Sequence, residues 1–213
     1  MTTAVAMTYD SLVDNIETYL ERTDEVTIAN IPLFIMLAEQ AIAMEIKFLG
    51  NLLPTQSVMQ IGESVIPKPA RWHKTVSMSI NVGSTNTRTP ILLRQYEFLR
   101  NYWPVSTATG LPKYYSDYDY DHWVVAPTPD EAYQFEVLYY QRLVPLDSAN
   151  QTNWLTRYAP QALLYGSLLQ AMPFLKNDDR IPAWQAQYQS VMTILKGENT
   201  LRVADRQAVA LDN

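Results

Sequence analysis

Cysteine is absent from this 213-residue sequence, and glycine and histidine are scarce. Without cysteine the chain has no disulfide, thiol nucleophile, zinc-thiolate site or iron-sulfur cluster. The six glycines are isolated, so no glycine-rich phosphate loop and no G-x-S-x-G nucleophile elbow occurs. The two histidines, His73 and His122, lie far apart and match no metal-ligand spacing. These absences remove most routes to catalysis and predict no cofactor.

Clusters of basic residues and long hydrophobic runs are missing as well. Lysine and arginine are scattered singly, the net charge is -6 and the pI is near 4.9, which argues against binding to phosphate backbones. The longest apolar runs, Ile31–Ala38 and Ala41–Met44, are separated by Glu39 and Gln40, and the first ten residues lack signal-peptide features. The sequence therefore predicts an intracellular soluble protein without a membrane contact.

Two helices are predicted before residue 51. Thr8 is a typical helix cap, and the residues after it alternate between an apolar side and an acidic side with helical spacing. Asn30 and Pro32 resemble the cap and first-turn proline of a second helix, which we expect to end at Gly50. Because this second helix is apolar nearly all round, it is predicted to lie at the centre of the core.

The segment from Leu52 to Leu146 differs in character, since it contains nine of the thirteen prolines. Prolines at this density favour strands joined by turns, and the runs "TVSMSINV" and "QFEVLYY" have strand-like alternation. One short helix is predicted within "TPILLRQYEFLRNYW", where the apolar residues keep helical spacing: Leu92, Leu93, Tyr96, Leu99 and Tyr102.

Helical patterns return after residue 151. Pro160 is expected to begin one helix, and Asp179 is expected to cap a last helix that Gly197 closes. The last helix carries one apolar stripe: Ile181, Trp184, Tyr188, Val191, Met192 and Leu195. The predicted fold class is α+β. Residues 1–51 and 151–196 form a helical bundle, residues 52–150 an inserted β-rich domain (a small sandwich or sheet), and residues 197–213 an extended C-terminal tail.

The run "SDYDYDHW", Ser116 to Trp123, is the main candidate for chemistry. It fails as a calcium loop, because the positions that need glycine and glutamate hold His122 and Thr128. As a strand, it would place Asp117, Asp119 and Asp121 on one face. We interpret it as an exposed hairpin edge or turn. A cation site that serves a metal-assisted hydrolase, built on the three aspartates and His122, is the alternative.

Aromatic residues are abundant, with 14 tyrosines and 5 tryptophans. A cluster of them lies in the β-rich region: Tyr114, Tyr115, Tyr118, Tyr120, Trp123, Tyr133, Tyr139 and Tyr140. Core packing is the first interpretation, and a protein-protein interface is the second. Stacking on sugars by the tyrosine cluster, as in a carbohydrate-binding module, is a further alternative, which sugar quenching of Trp123 fluorescence would support.

The order of these features resembles the head-to-tail adaptor proteins of tailed bacteriophages. The resemblance is carried by "GLPKYYSDYDYDHWVVAPTPDEAYQFEVLYYQRLVPL", then "NWLTRYAPQALLYGSLLQAMPFL" and "WQAQYQSVMTIL", with "IPLFIMLAEQAI" similar to the family's early buried helix. The matching positions are Gly110, Pro112, Tyr115, Pro127, Pro129, Tyr139, Tyr140, Asn153, Trp154, Leu164, Tyr165, Gly166 and Trp184.

The resemblance implies a structural virion protein rather than an enzyme. It implies a ring of about twelve copies, located in the neck below the portal, with the portal and the tail or nozzle protein as partners and synthesis in the host cytoplasm. DNA would pass through the channel without specific binding. The acidic composition agrees with this, because like charge repels phosphate at short range.

The C-terminal segment "GENTLRVADRQAVALDN" has too few apolar residues to fold alone but enough to anchor on a partner. In the family that the chain resembles, this segment reaches from the ring to the portal. The resemblance therefore predicts partner-binding residues here: Leu201, Arg202, Val203, Arg206, Val209 and Leu211.

Overall fold

The computed structural model describes residues 7–46, 52–83, 87–175 and 178–206. The chain divides into two compact units, one made of Met1–Asn51 and Leu143–Asn213 and the other of Leu52–Arg142. In chain order the elements are α1 (Tyr9–Leu20), α2 (Glu25–Glu45), β1 (Leu52–Val58), β2 (Val65–Pro67), β3 (Trp72–Val82), β4 (Thr87–Leu93), α3 (Tyr96–Tyr102), β5 (Tyr114–Asp117), β6 (His122–Ala126), β7 (Gln134–Gln141), α4 (Trp154–Tyr158), α5 (Pro160–Gln170) and α6 (Ile181–Arg206).

Helix α1 begins as predicted. The Thr8 side chain accepts a hydrogen bond from the Ser11 N–H, and the Ser11 side chain accepts one from the Thr8 N–H, which forms a capping box. The buried residues Leu12, Ile16 and Leu20 share one face. The acidic residues lie toward the opposite face, as the helical spacing predicted.

Helix α2 begins earlier and ends earlier than predicted. Its cap is Asp24, whose carboxylate accepts the Thr27 N–H at 3.0 Å, so Pro32 lies inside the helix rather than in its first turn. A good cap upstream, together with burial of Ile31 and Phe34 around the proline, outweighs the single backbone hydrogen bond that a proline removes. The helix ends at Glu45, and Gly50 lies outside the described residues.

Helix α2 belongs to the core of its unit. By length and composition alone it is the one helix in the described ranges that could cross a membrane, which is weak evidence because core helices pass the same test. One face of α2 is buried within the helical unit. The predicted position at the centre of the core holds for one face only, since the opposite face is exposed.

Helix α5 contacts both α2 and α6. The N-terminal helices thus pack against the C-terminal ones, as predicted. The buried residues of α5 cover most of its surface, and Pro160 is its first residue. A β-carbon placed on Gly166 would lie 3.2 Å from Tyr188 Cε2 of α6 and 3.4 Å from Ala38 Cβ of α2. The core of the unit is therefore assembled from segments more than 100 residues apart in the chain.

Helix α6 continues to Arg206, past the predicted end at Gly197. A glycine within a helix costs only about 1 kcal/mol relative to alanine, and the residues that follow it include good helix formers and no proline. The part of the predicted extended tail up to Arg206 is thus helical. Trp184, Met192 and Leu195 are buried, which confirms the predicted apolar stripe.

The second unit is a seven-stranded curled sheet with the strand order β1-β7-β3-β4-β5-β6-β2. All neighbouring strands are antiparallel except β4 and β5, which pair in parallel over two residues. The predicted strands "TVSMSINV" and "QFEVLYY" lie within β3 and β7 and pair with each other. A core packs against the sheet: Met59, Ile66, Met78, Ile80, Ile91, Tyr115, Trp123, Val125, Tyr133, Phe135, Val137 and Tyr139.

The predicted helix of the second unit is shorter than expected. Only Tyr96–Tyr102 is helical, whereas Leu92 and Leu93 lie in strand β4 and are exposed. Pairing with β3, including Ile91 with Met78, keeps residues 87–93 in a strand, so the helix begins only after it.

Candidate interaction surfaces

The acidic run forms the turn of a β-hairpin and not a continuous strand. Strands β5 and β6 pair from Tyr114 with Ala126 to Asp117 with Trp123, and residues 118–121 connect them. The Tyr118 N–H and the Asp119 N–H both donate to the His122 carbonyl, at 3.2 and 3.3 Å. The predicted hairpin turn is therefore present, but the prediction that all three aspartates share one strand face was wrong.

A buried lysine holds this turn. The side chain of Lys68 is 2% exposed, and its ammonium donates hydrogen bonds to the Asp117 carboxylate and to the carbonyls of Asp119 and Tyr120. The same ammonium lies 4.0 Å from the centroid of the Trp72 ring, a cation-π contact. Because Lys68 is a single lysine between Pro67 and Pro69 and its partners lie about 50 residues away, no local sequence pattern indicated this role.

The two remaining acidic side chains have different surroundings. The Asp119 carboxylate lies 2.9 Å from His122 Nδ1 and accepts the Asp121 N–H at 2.7 Å. Partial desolvation raises the pKa of Asp119, but the hydrogen bonds from Asp121 and His122 outweigh it, so the pKa lies below its ordinary value. Asp121 is exposed.

This geometry does not support the metal-site alternative. Asp117 is paired with Lys68, and Asp119 contacts His122, so the carboxylates are directed to separate partners. Within residues 7–46, 52–83, 87–175 and 178–206, no three histidine or carboxylate side chains are grouped so that they could hold a metal ion. Asp117 instead neutralises the buried Lys68, and Asp119 accepts hydrogen bonds within the turn.

The tyrosine and tryptophan cluster divides into a buried part and an exposed part. Tyr115, Tyr133 and Tyr139 are buried, and Trp123 is 1% exposed, so Trp123 has no surface on which a sugar could stack. Burial raises the pKa of the Tyr133 hydroxyl to about 12, with a smaller effect from its hydrogen bond to Asp130. Core packing, the first interpretation, is thus correct for these residues, while Tyr118 and Tyr120 are exposed at the turn.

A second exposed aromatic group, which we call the α3 patch, consists of Arg94, Phe98, Tyr102 and Tyr114. Phe98 and Tyr102 stack with an interplanar angle of 8°, and both meet the Tyr114 ring edge to face. The Arg94 guanidinium lies 5.7 Å from the Tyr114 ring centroid. Aromatic and arginine side chains are enriched in protein interfaces, and the sequence analysis did not identify this patch as one.

The residues predicted to bind a partner lie at the end of α6 and beyond. Leu201 is in the helix and is 69% exposed. Arg202, Val203 and Arg206 belong to the last turns of the same helix. Val209 and Leu211 lie outside the described residues.

A helical bundle with an inserted curled sheet, and with aromatic and apolar side chains on its surface, has the character of an assembly protein. A comparison with protein families matches residues 7–210 to the SU10 adaptor protein family. The chain belongs to this family of phage head-tail adaptors, and it is a structural adaptor that links portal and tail. The resemblance found in the sequence is thereby confirmed. A comparison with curated proteins gives no match.

Membership of the family decides between the alternatives for function. The family is structural and not enzymatic, which excludes the hydrolase reading. It implies the portal and the tail as partners and the neck of the virion as the location. The hairpin turn, the α3 patch and the end of α6 are therefore candidate contact surfaces within that assembly.

Proposed function

We propose that the chain forms a closed ring of twelve copies around the DNA channel, with the tail or nozzle protein on one side and the portal on the other. The match over residues 7–210 is the observation that carries this proposal. A ring requires heterologous contacts, in which two different faces of one subunit meet. The subunit is made in the host cytoplasm and functions in the neck.

The charge of the chain fits a channel through which DNA moves. With 22 acidic and 16 basic side chains the protein carries a net charge of -6, and the exposed side of α1 and the hairpin turn are both acidic. Negative surface repels phosphate at distances within about 8 Å at physiological salt. DNA passes without specific binding because the net charge of the chain has the same sign as that of the phosphates.

The C-terminal segment is proposed to dock on the portal. Leu201 is a large apolar side chain exposed on a helix. Three more apolar residues, Val203, Val209 and Leu211, follow it in the sequence. Arg202 and Arg206 add positive charge to a protein that is acidic overall. A segment of this kind gains its contacts on a partner surface.

Two truncations test the docking proposal. Deletion of Asn199–Asn213 should leave the melting behaviour of the subunit nearly unchanged, because the buried residues Met192 and Leu195 are retained. The same deletion should weaken attachment to purified portal, measured by co-sedimentation. Deletion of residues 207–213 alone serves as the control and should give a smaller loss.

If the longer truncation binds portal with full affinity, the C-terminal segment is not the docking element. The attachment site would then lie elsewhere on the subunit, while membership of the adaptor family would stand.

A further inference from the structure

The outward face of α2 is an uncharged apolar stripe. Its exposed residues recur at intervals of three or four: Val26, Ala29, Leu33, Met36, Gln40 and Met44. Val26 is 65% and Met44 is 83% exposed. Between Glu25 and Glu45 the one ionisable residue is Glu39, which is buried on the opposite side. A contiguous apolar surface of this kind marks a contact site.

The stripe has the dimensions of a helix-helix seam. From Val26 to Met44 it extends for about 27 Å at 1.5 Å per residue. Its three-and-four spacing is that of the apolar seam in a coiled coil. We call it the α2 seam, and its natural counterpart is a second helix.

The outward face of α6 has the same spacing and much smaller side chains. Its exposed members are Ala186, Ser190, Thr193, Gly197 and Thr200, and we call this stripe the α6 seam. None of them is charged, and a β-carbon placed on Gly197 would meet no atom within 4 Å. Small side chains allow another helix to approach closely and receive large ones between them.

Each seam lies on the side of its own helix that is opposite the buried face. Both α2 and α6 pack their buried faces against α5, where Ala38 and Tyr188 both contact the position of Gly166. Lys196 of α6 also forms an ion pair with Glu45 of α2 at 2.8 Å. The α2 seam and the α6 seam are therefore two separate exposed surfaces, one on each helix. One subunit can present large apolar side chains to one neighbour and small ones to another.

The other outward helix faces suit the α2 seam less well. Exposed or half-exposed carboxylates cover α1: Asp10, Asp14, Glu17 and Glu21. Packing the α2 seam there would remove water from unpaired charges, which is costly. Helix α5 offers too little outward surface, because Gln161 is its one exposed residue and the half-buried Tyr165 contacts Tyr19 of α1. The α6 seam is the uncharged surface that remains among these three helices.

We propose that the α2 seam of one copy packs onto the α6 seam of a second copy. Two faces about 20 to 27 Å long bury on the order of 1,000 Å² in total, about the minimum area for a biological interface. Each subunit makes this contact twice, once with each seam. The inference rests on the proposed ring, and it names the surfaces that repeat around it.

Two substitutions test the pairing, and both change outward residues that leave the core intact. Leu33→Glu places a charge in the α2 seam, and Gly197→Leu fills the α6 seam while raising helix propensity. Each variant should weaken self-association by about tenfold or more, because a charge or a bulky group must be buried. Asp14→Lys, on the outward face of α1, is the control and should associate as the unchanged protein does.

A mixture of the two variants distinguishes the pairing from a symmetric one. The Leu33→Glu chain keeps an intact α6 seam and the Gly197→Leu chain keeps an intact α2 seam, so native mass spectrometry should show mixed dimers and nothing larger. If α2 packed on α2 of the neighbour, Gly197→Leu alone would associate normally. That result would overturn the proposal.

Cross-linking provides a second readout, since the chain has no cysteine of its own. Met36 and Thr193 lie near the middle of the two seams, so they meet whether the helices run parallel or antiparallel. With a short bis-maleimide, a mixture of Met36→Cys and Thr193→Cys chains should give linked dimers, while each chain alone should not. Asp14→Cys mixed with Thr193→Cys is the control.

The outcomes separate this inference from the ring itself. If the unchanged protein assembles but Met36→Cys and Thr193→Cys chains do not link, the seam pairing is wrong and the ring stands. If the unchanged protein never associates with itself, alone or with portal, both the pairing and the ring are wrong.

Discussion

At the scale of single residues, Lys68 decides the conformation of the acidic turn. In place of water, its ammonium contacts one carboxylate, two backbone carbonyls and the face of the Trp72 ring. Buried charges are tolerated when they are paired and hydrogen-bonded in this way. The exposed tyrosines of the turn, Tyr118 and Tyr120, are thus presented by a fixed loop, which lowers the entropy cost of any contact that they make.

The two outer aspartates of the turn should differ in their effect on stability. Asp117→Asn removes the charge that pairs with buried Lys68 and should lower the free energy of unfolding by about 1 kcal/mol. Asp121→Asn should change it by about 0.5 kcal/mol or less, because Asp121 is exposed. Urea denaturation of the two variants measures the difference. Equal effects would show that the pairing of Lys68 with Asp117 contributes nothing.

Glu39 is the buried carboxylate of the helical unit. It accepts hydrogen bonds from the Leu146 N–H at 3.1 Å and from the side-chain amide of Asn153, whose oxygen caps α4. Desolvation raises its pKa above the ordinary value, although these two hydrogen bonds act in the opposite direction. The folded state therefore binds a proton at Glu39 more readily than the unfolded state does.

The sign of the pH dependence follows from this shift. Between the ordinary pKa of glutamate and the raised pKa, Glu39 carries more proton in the folded state, so its contribution to stability falls as the pH rises. Relative to Glu39→Gln, the unchanged protein should gain stability when the pH is lowered from 7 to 5. Thermal melts at both pH values measure the difference between the two proteins. A constant difference would contradict the raised pKa.

At the scale of elements, α2 contains a proline at its eighth position. Pro32 cannot donate to the Ile28 carbonyl and is exposed, so a donor can be restored there without changing the core. Pro32→Ala should raise the free energy of unfolding by about 1 to 2 kcal/mol, after allowing for the freedom that the unfolded chain gains.

Pro160 is the matched control for that substitution. It occupies the first position of α5, where no intrahelical donor is needed, so Pro160→Ala should give no gain. Urea denaturation of both variants measures the contrast. If Pro32→Ala were as neutral as Pro160→Ala, the proline would impose no cost on α2.

The elements show where sequence patterns suffice and where they do not. The Thr8 cap, the Pro160 start and the Trp184 stripe were predicted correctly, because each depends on neighbours within one turn or one helix face. The predicted start of α2 and the predicted end of α6 were wrong. Tertiary packing allows α2 to continue through Pro32, and the helix propensity of the residues after Gly197 allows α6 to continue past it.

The candidate surfaces were harder to predict than the elements. The hydrogen bonds of Lys68 join residues about 50 positions apart in the chain. The α3 patch combines residues from the end of β4, from α3 and from β5. Such groupings depend on the order of strands in the sheet, which no local pattern encodes. The resemblance to adaptors succeeded because it used the order of many loose features along the whole chain.

At the scale of the whole molecule, the chain is a building block of a phage neck. The chain combines a helical unit that offers two complementary outward seams with a sheet unit that presents a fixed acidic turn and the α3 patch. Its negative charge suits a protein near moving DNA. Every proposed contact is with protein, and none requires a metal or a cofactor.

Electron microscopy of the purified protein mixed with its portal tests this account most directly. The account predicts a closed ring of identical subunits on the portal, with α2 of each subunit facing α6 of the next around a central channel. A portal that remains bare, or that binds single subunits without a ring, would contradict it.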